Sequence, residues 1–279
     1  MPIQLTAGAL KEIFPRAPQA VIDAFASAGG QRQLFSAGIT DNAKRMAVAF
    51  AHCHHETSGF SIPNLTENIN YTAERAAEVW PINSKAPERT FRSVADVYTK
   101  TGSFPKDPKF KFKLMNLVYG NRMGNRPGTS DGSAFIGRGG PQITGRDGYA
   151  EVGKRIGLPL EAQPELACRP EHQPAILAAF WSWKGLNGPA DAGGIDATVR
   201  PWNGGTNGLA DRKAQYARIL PIVQRLTAVA DPPDVAPKPA PAPPAAPPVD
   251  PATPVPRGRS LIEGIAKFVS AIIAAFKGK

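Results

Sequence analysis

The sequence predicts a mainly α protein with a loop-rich middle. Apolar residues recur at helical spacing in several separate stretches, strand signals are few and short, and residues 120–148 are dense in glycine. Residues 5–28 open the chain as helix, with Leu10, Ile13, Phe14, Val21, Ile22 and Phe25 in phase, a break near Pro15 and Pro18, and an end at Gly29 and Gly30. Residues 41–57 form the clearest helix: Asp41 is the expected N-cap, and Ala43, Met46, Ala47, Phe50, Ala51 and His54 share a face. Short helices are expected at 72–80 and 90–100, and further helices at 147–156, 171–186 and 208–228.

At Asp231 the composition changes. Residues 232–256 hold 12 of the chain's 29 prolines, so 231–257 reads as an extended Pro/Ala-rich linker that buries no core. Residues 258–279 regain periodicity. Leu261, Ile265, Phe268, Ile272 and Phe276 fall on one face of a helix, with Lys267 and Lys277 opposite. A basic amphipathic helix of this kind suits a membrane interface, binding anionic lipids through these residues; docking on the preceding domain and self-association are the alternatives. The organisation expected is therefore one catalytic domain at 1–230, a linker at 231–257 and a helix at 258–279.

Of 279 residues, 42% are apolar, enough for a sizeable core. Two cysteines exclude a disulfide-built scaffold. The net charge of +10 lies mostly within residues 1–230 and points to anionic partners. Nucleic acid is not expected among them, because no nucleic-acid-binding motif is read in the chain. The segment from Met1 to Thr6 has no basic stretch ahead of an apolar run, so no Sec-type signal peptide is expected. No stretch of about 18 uninterrupted apolar residues marks a transmembrane helix.

The densest reactive cluster is His52, Cys53, His54, His55 and Glu56. His52 with His55, or His52 with Glu56, shares a helix face, but no third ligand follows at suitable spacing and the zincin pattern is absent, so no metal and no cofactor are expected. Cys53 reads as a small buried residue. Glu56 ends an apolar helix, where apolar surroundings raise a carboxyl pKa and suit it to donate a proton. Glu67 lies in a polar, loop-like segment and is expected to stay ionised. Two carboxylates in contrasting environments are what glycoside hydrolysis needs, although two solvated glutamates explain this spacing equally well.

Five ordered motifs change the balance: HHETSGF (54–60), LTENINY (65–71), YGNRMGN (119–125), GRGGPQITG (137–145) and WNGGTNGLADR (202–212). Together they resemble glycoside hydrolase family 19, and within it the bacteriophage endolysin branch more than the plant chitinases. The resemblance covers about residues 1–225 and implies a lysozyme-like, two-lobed α-helical domain. By position it implies Glu56 as catalytic acid, Glu67 as the base that activates water, and Thr144 as the residue that positions this water. Gln142, Tyr149, Asn203 and Arg212 correspond to cleft residues, and His55 and Tyr71 join them as substrate-binding candidates. The family inverts the anomeric centre, which calls for carboxyls roughly 6.5–9.5 Å apart. The chain departs from the plant pattern in the place of Pro141, in the short span between its two glutamates and in the missing plant disulfides.

The resemblance, the basic body and the absent signal point to an endolysin. It would be a monomer that cuts peptidoglycan, held in the host bacterial cytoplasm until holin-dependent release to the cell wall. A chitinase, or a membrane-active antibacterial protein with a wall-binding domain, are the alternatives.

Overall fold

The computed structural model describes residues 2–226, and these are mainly α. The expected linker at 231–257 and the terminal helix with its Leu261, Ile265, Lys267, Phe268, Ile272, Phe276 and Lys277 lie outside the described residues. Helix α1 (Ala7–Ile13) starts at Thr6, whose hydroxyl accepts from the Ala9 N–H, and α2 (Gln19–Ala26) follows Pro18. Gly29 and Gly30 do not end this unit. They lie inside α3 (Ala28–Ser36), capped by Ser27. A Cβ on Gly30 would come 2.1 Å from the Ala24 carbonyl oxygen, so glycine is what lets α3 pack tightly after α2.

Helix α4 (Ala43–Thr57) is the centre of the fold. Its N-cap is Asn42, accepting from Arg45 N–H at 2.9 Å, and not Asp41, which pairs with the Arg45 side chain. Every residue from Met46 to Cys53 is buried, so the helix is enclosed all round and carries more than an apolar stripe.

A second lobe builds its own core. Helices α5 (Ala73–Val79), α6 (Val94–Thr101) and α7 (Phe110–Tyr119) surround Trp80, Phe91, Val97, Leu114, Met115 and Val118. The sequence pattern hid α7 because lysine and phenylalanine alternate at its start, a period of two rather than 3.6. The glycine-rich segment that follows holds one short turn of helix, α8 (Asp131–Ala134). Buried Asp131 pins the segment by accepting from Arg126 and Arg146 at 2.9–3.1 Å, and these bonds hold its carboxyl far below the usual range.

Helices α9 (Arg146–Ile156), α10 (Gln173–Trp183), α11 (Asn187–Asn203) and α12 (Leu209–Gln224) complete the first lobe. The sequence reading missed α11, whose glycines, prolines and aspartates argue against a helix. The structure breaks it at Gly194 (φ 57°, ψ −131°). Both α11 and α12 pack along α4, which brings the last motif against the first.

Candidate active site

The site grows from the C-terminal end of α4. Thr57 donates to Cys53 O at 2.6 Å and accepts from Phe60 N–H at 2.8 Å, which closes the helix. Ser58, Gly59 and Phe60 then take left-handed backbone and turn the chain sharply. Phe60 drops into the core, edge-on to Phe14 at 5.0 Å and to Phe25 at 5.6 Å. This anchored turn fixes where Glu56 emerges.

The Glu56 side chain does not meet an apolar wall. Its Oε1 accepts from Arg212 Nη2 at 2.5 Å, and the Arg212 side chain is fully enclosed. The other η nitrogen reaches His52 Nδ1 at 2.7 Å. Arginine only donates, so His52 Nδ1 is the acceptor and Nε2 carries the hydrogen. Nε2 then donates to Thr198 Oγ1 at 2.8 Å, and Thr198 donates to Gly194 O at 2.8 Å. Burial, with the Arg212 charge beside it, holds the His52 pKa well below its ordinary value. Trp202 stacks on its ring at 4.4 Å. An unbroken chain of hydrogen bonds thus runs from the kink in α11 to the Glu56 carboxylate.

Glu67 also departs from expectation. It is 7% exposed, not solvated. Oε1 accepts from the Tyr119 hydroxyl at 2.7 Å, and Oε2 accepts from Gly137 N–H at 2.9 Å. Burial pushes its carboxyl above the ordinary range, against the opposing pull of these two donors and of Arg138. The Glu67 N–H donates to Gly137 O at 2.8 Å, so the 137–145 segment holds both its backbone and its side chain.

Both glutamates line one open cleft of about 320 Å³, together with His54, His55, Gln142 and Asp211. His55 Nδ1 meets Asp211 Oδ2 at 2.6 Å. Burial and the Arg212 charge lower the His55 pKa, so the neutral ring donates Nδ1–H to Asp211. Burial raises the Asp211 pKa, but the hydrogen bonds from His55 and Gln215 oppose it, and the carboxyl stays below its ordinary value. Asp211 and Tyr119 were not singled out from sequence, although each stands inside a quoted motif. Gln142 has left-handed backbone (φ 54°), and its amide donates to Gly139 O at 2.9 Å.

Other candidates sit behind or beside the cleft. Thr144 is half-buried and donates to Gln142 O at 2.9 Å. Tyr71 is half-buried beside the Trp80 ring at 4.9 Å. Tyr149 is fully enclosed, donating to Ile136 O at 2.6 Å and accepting from Arg138 at 2.8 Å. Buried Asn203 accepts from Gly205 N–H at 2.9 Å and shapes the turn into α12. These contacts make Tyr149 and Asn203 part of the scaffold that holds the cleft.

The chain is 28% identical over 221 residues to a glycosyl hydrolase family 19 domain-containing protein of Haemophilus influenzae, covering 79% of this chain and 98% of that one. The likeness to this family 19 domain protein runs along nearly its whole length. Two Arabidopsis thaliana endochitinases are 39% and 38% identical over 74 residues, about a quarter of either partner's length. No family model matches the chain. Chitinase C from Streptomyces griseus HUT6037 superposes with a TM-score of 0.46 at 17% identity, over 80% of this chain and 94% of that one.

Proposed function

We propose that this family 19 homologue is an endolysin that hydrolyses the β-1,4 glycan of bacterial peptidoglycan with inversion. The observation that carries this reading is one open cleft holding Glu56 and Glu67, each fixed by its own donors. Glu56 protonates the glycosidic oxygen as the C1–O bond breaks. Glu67 takes a proton from the water that attacks C1 from the opposite face. Arg212 then faces the Glu56 carboxylate left behind and stabilises its charge. Tyr119 and Gly137 keep the Glu67 oxygens aimed, and Thr144 beside Gln142 orients the water.

The basic body suits an anionic wall, and the segment 258–279 would bind anionic membrane lipids while the proline tract gives it reach. The protein acts as a monomer, waits in the host cytoplasm and reaches the wall when a holin opens the membrane. A chitinase is the second reading, favoured by the short stretch of likeness to plant endochitinases. Clearing of purified Gram-negative sacculi is compared with sugar release from colloidal chitin. Clearing of sacculi is the expected result, and activity on chitin alone overturns the endolysin reading.

A further inference from the structure

Among the described residues three large apolar side chains stand exposed, Ile82, Phe104 and Phe112, and Phe104 is the most open at 61%. Phe104 and Phe112 belong to one corner of the second lobe, made of the turn at residues 102–109 and the first turn of α7 that follows it. Lys113 closes this corner from inside, donating to Gly102 O at 2.8 Å and to Asp107 Oδ2 at 3.0 Å. Asp107 is the corner's sole acid, and its carboxylate is buried and paired. The charge left outside is therefore all positive. Lys106 and Lys109 are exposed, and neither they nor Lys111 pairs with a carboxylate among the described residues. Lys106 holds left-handed backbone (φ 66°) at the apex, a costly conformation for a side chain other than glycine.

We propose that this corner is a second membrane-docking surface, in which Phe104 and Phe112 enter the interface of an anionic bilayer and the surrounding lysines meet lipid phosphates. Exposed aromatics flanked by lysines are the composition of interfacial insertion: the rings take the acyl boundary and the ammonium groups stay at the headgroups. A glycan or other wall polymer fits less well. Sugar hydroxyls need amide, hydroxyl or carboxylate side chains, and the corner offers only Ser103, whose hydroxyl is buried, and the paired Asp107. The surface also bears on the catalytic cleft. Phe112 and Tyr119 are seven residues apart on α7, about 10 Å along its axis. Docking here would hold Glu67 beside the bilayer, where the innermost glycan lies.

The test uses the full chain. Phe104→Trp adds one indole to the four present, and its emission is read against that of the unchanged protein. With vesicles of phosphatidylethanolamine and phosphatidylglycerol, the added emission shifts to the blue and is quenched by brominated lipid. With phosphatidylcholine alone it is not. The double variant Phe104→Ser/Phe112→Ser binds the anionic vesicles about tenfold more weakly, a difference of about 1.4 kcal/mol, and cleaves soluble glycan fragments like the unchanged protein. An unquenched indole on bound protein, or equal vesicle binding by the double variant, overturns the proposal. Loss of binding to purified sacculi with vesicle binding intact also overturns it, and assigns the corner to the wall polymer. Vesicle binding needs no glycosidase activity, so failure here and failure of the endolysin reading are distinguishable.

Discussion

Arg212 bridges Glu56 and His52 with its two η nitrogens while its side chain is fully enclosed. Removing one partner of such a buried pair leaves a charge without water or counter-ion, at a cost of about 3–5 kcal/mol. Arg212→Met is expected to lower stability by that order and to abolish hydrolysis. Arg212→Lys restores charge but cannot reach both partners in one plane, so it recovers only part of the stability. Thermal unfolding followed by circular dichroism measures both. An unfolding midpoint for Arg212→Met equal to that of the unchanged protein contradicts the bridge.

The two glutamates are expected to fail differently. Glu56→Gln lowers hydrolysis of natural glycan by roughly 10²–10⁴-fold and loses far less on aryl glycosides whose leaving group needs no proton. Glu67→Ala is inactive on both, and azide restores turnover with an α-glycosyl azide as product, as inversion requires. The opposite pattern, with azide rescue of the Glu56 variant, would reverse the two roles.

Tyr119→Phe removes a donor that favours the ionised form of Glu67. The Glu67 pKa then rises further, and a base must be ionised to act. The acidic limb of the pH–rate profile is therefore expected to move to higher pH, with the alkaline limb in place. An unmoved acidic limb would show that Glu67 is not the group titrating there.

Burial of Glu67 also leaves a mark on stability. A carboxyl whose folded pKa lies above its unfolded value stabilises the fold below the unfolded pKa, and this contribution is lost as pH rises through the folded value. Glu67→Gln is expected to unfold at a higher temperature than the unchanged protein at pH 7, with the gap closing toward pH 4. This is the pattern of a site that gives up stability for function. A gap that widens on acidification contradicts a raised pKa.

Gly30→Ala is expected to destabilise the fold by about 1–3 kcal/mol, the usual cost of overpacking, because its Cβ meets the Ala24 carbonyl. The neighbouring Gly29→Ala meets no such contact and is expected to be neutral or better. Chemical denaturation of the pair checks this.

That pair also shows what the sequence made legible. Helix α4 and the emergence of Glu56 at its end are readable, because apolar periodicity and a tight turn are local properties. Gly29 and Gly30 mark the end of a helix by local rules, but the close approach of α2 turns them into its interior. Helix α11 is hidden for a similar reason: its kink at Gly194 pays off only once the Gly194 carbonyl receives Thr198 and Thr198 receives His52. The setting of Glu67 was the least legible. Its segment is polar, yet Tyr119 and Gly137 enclose it from 52 and 70 residues away. Arg212 was marked by its motif as a residue that tunes the carboxylates, and the packing of α12 on α4 decides that Glu56 is the one it meets.

Mass spectrometry of soluble fragments released from purified sacculi, by the unchanged protein and by Glu56→Gln, tests the central claim most directly. Disaccharide muropeptides with free reducing ends are expected from the former and none above background from the latter. Equal release by both proteins, or fragments cut only in the peptide stems, would contradict glycan cleavage in the Glu56–Glu67 cleft.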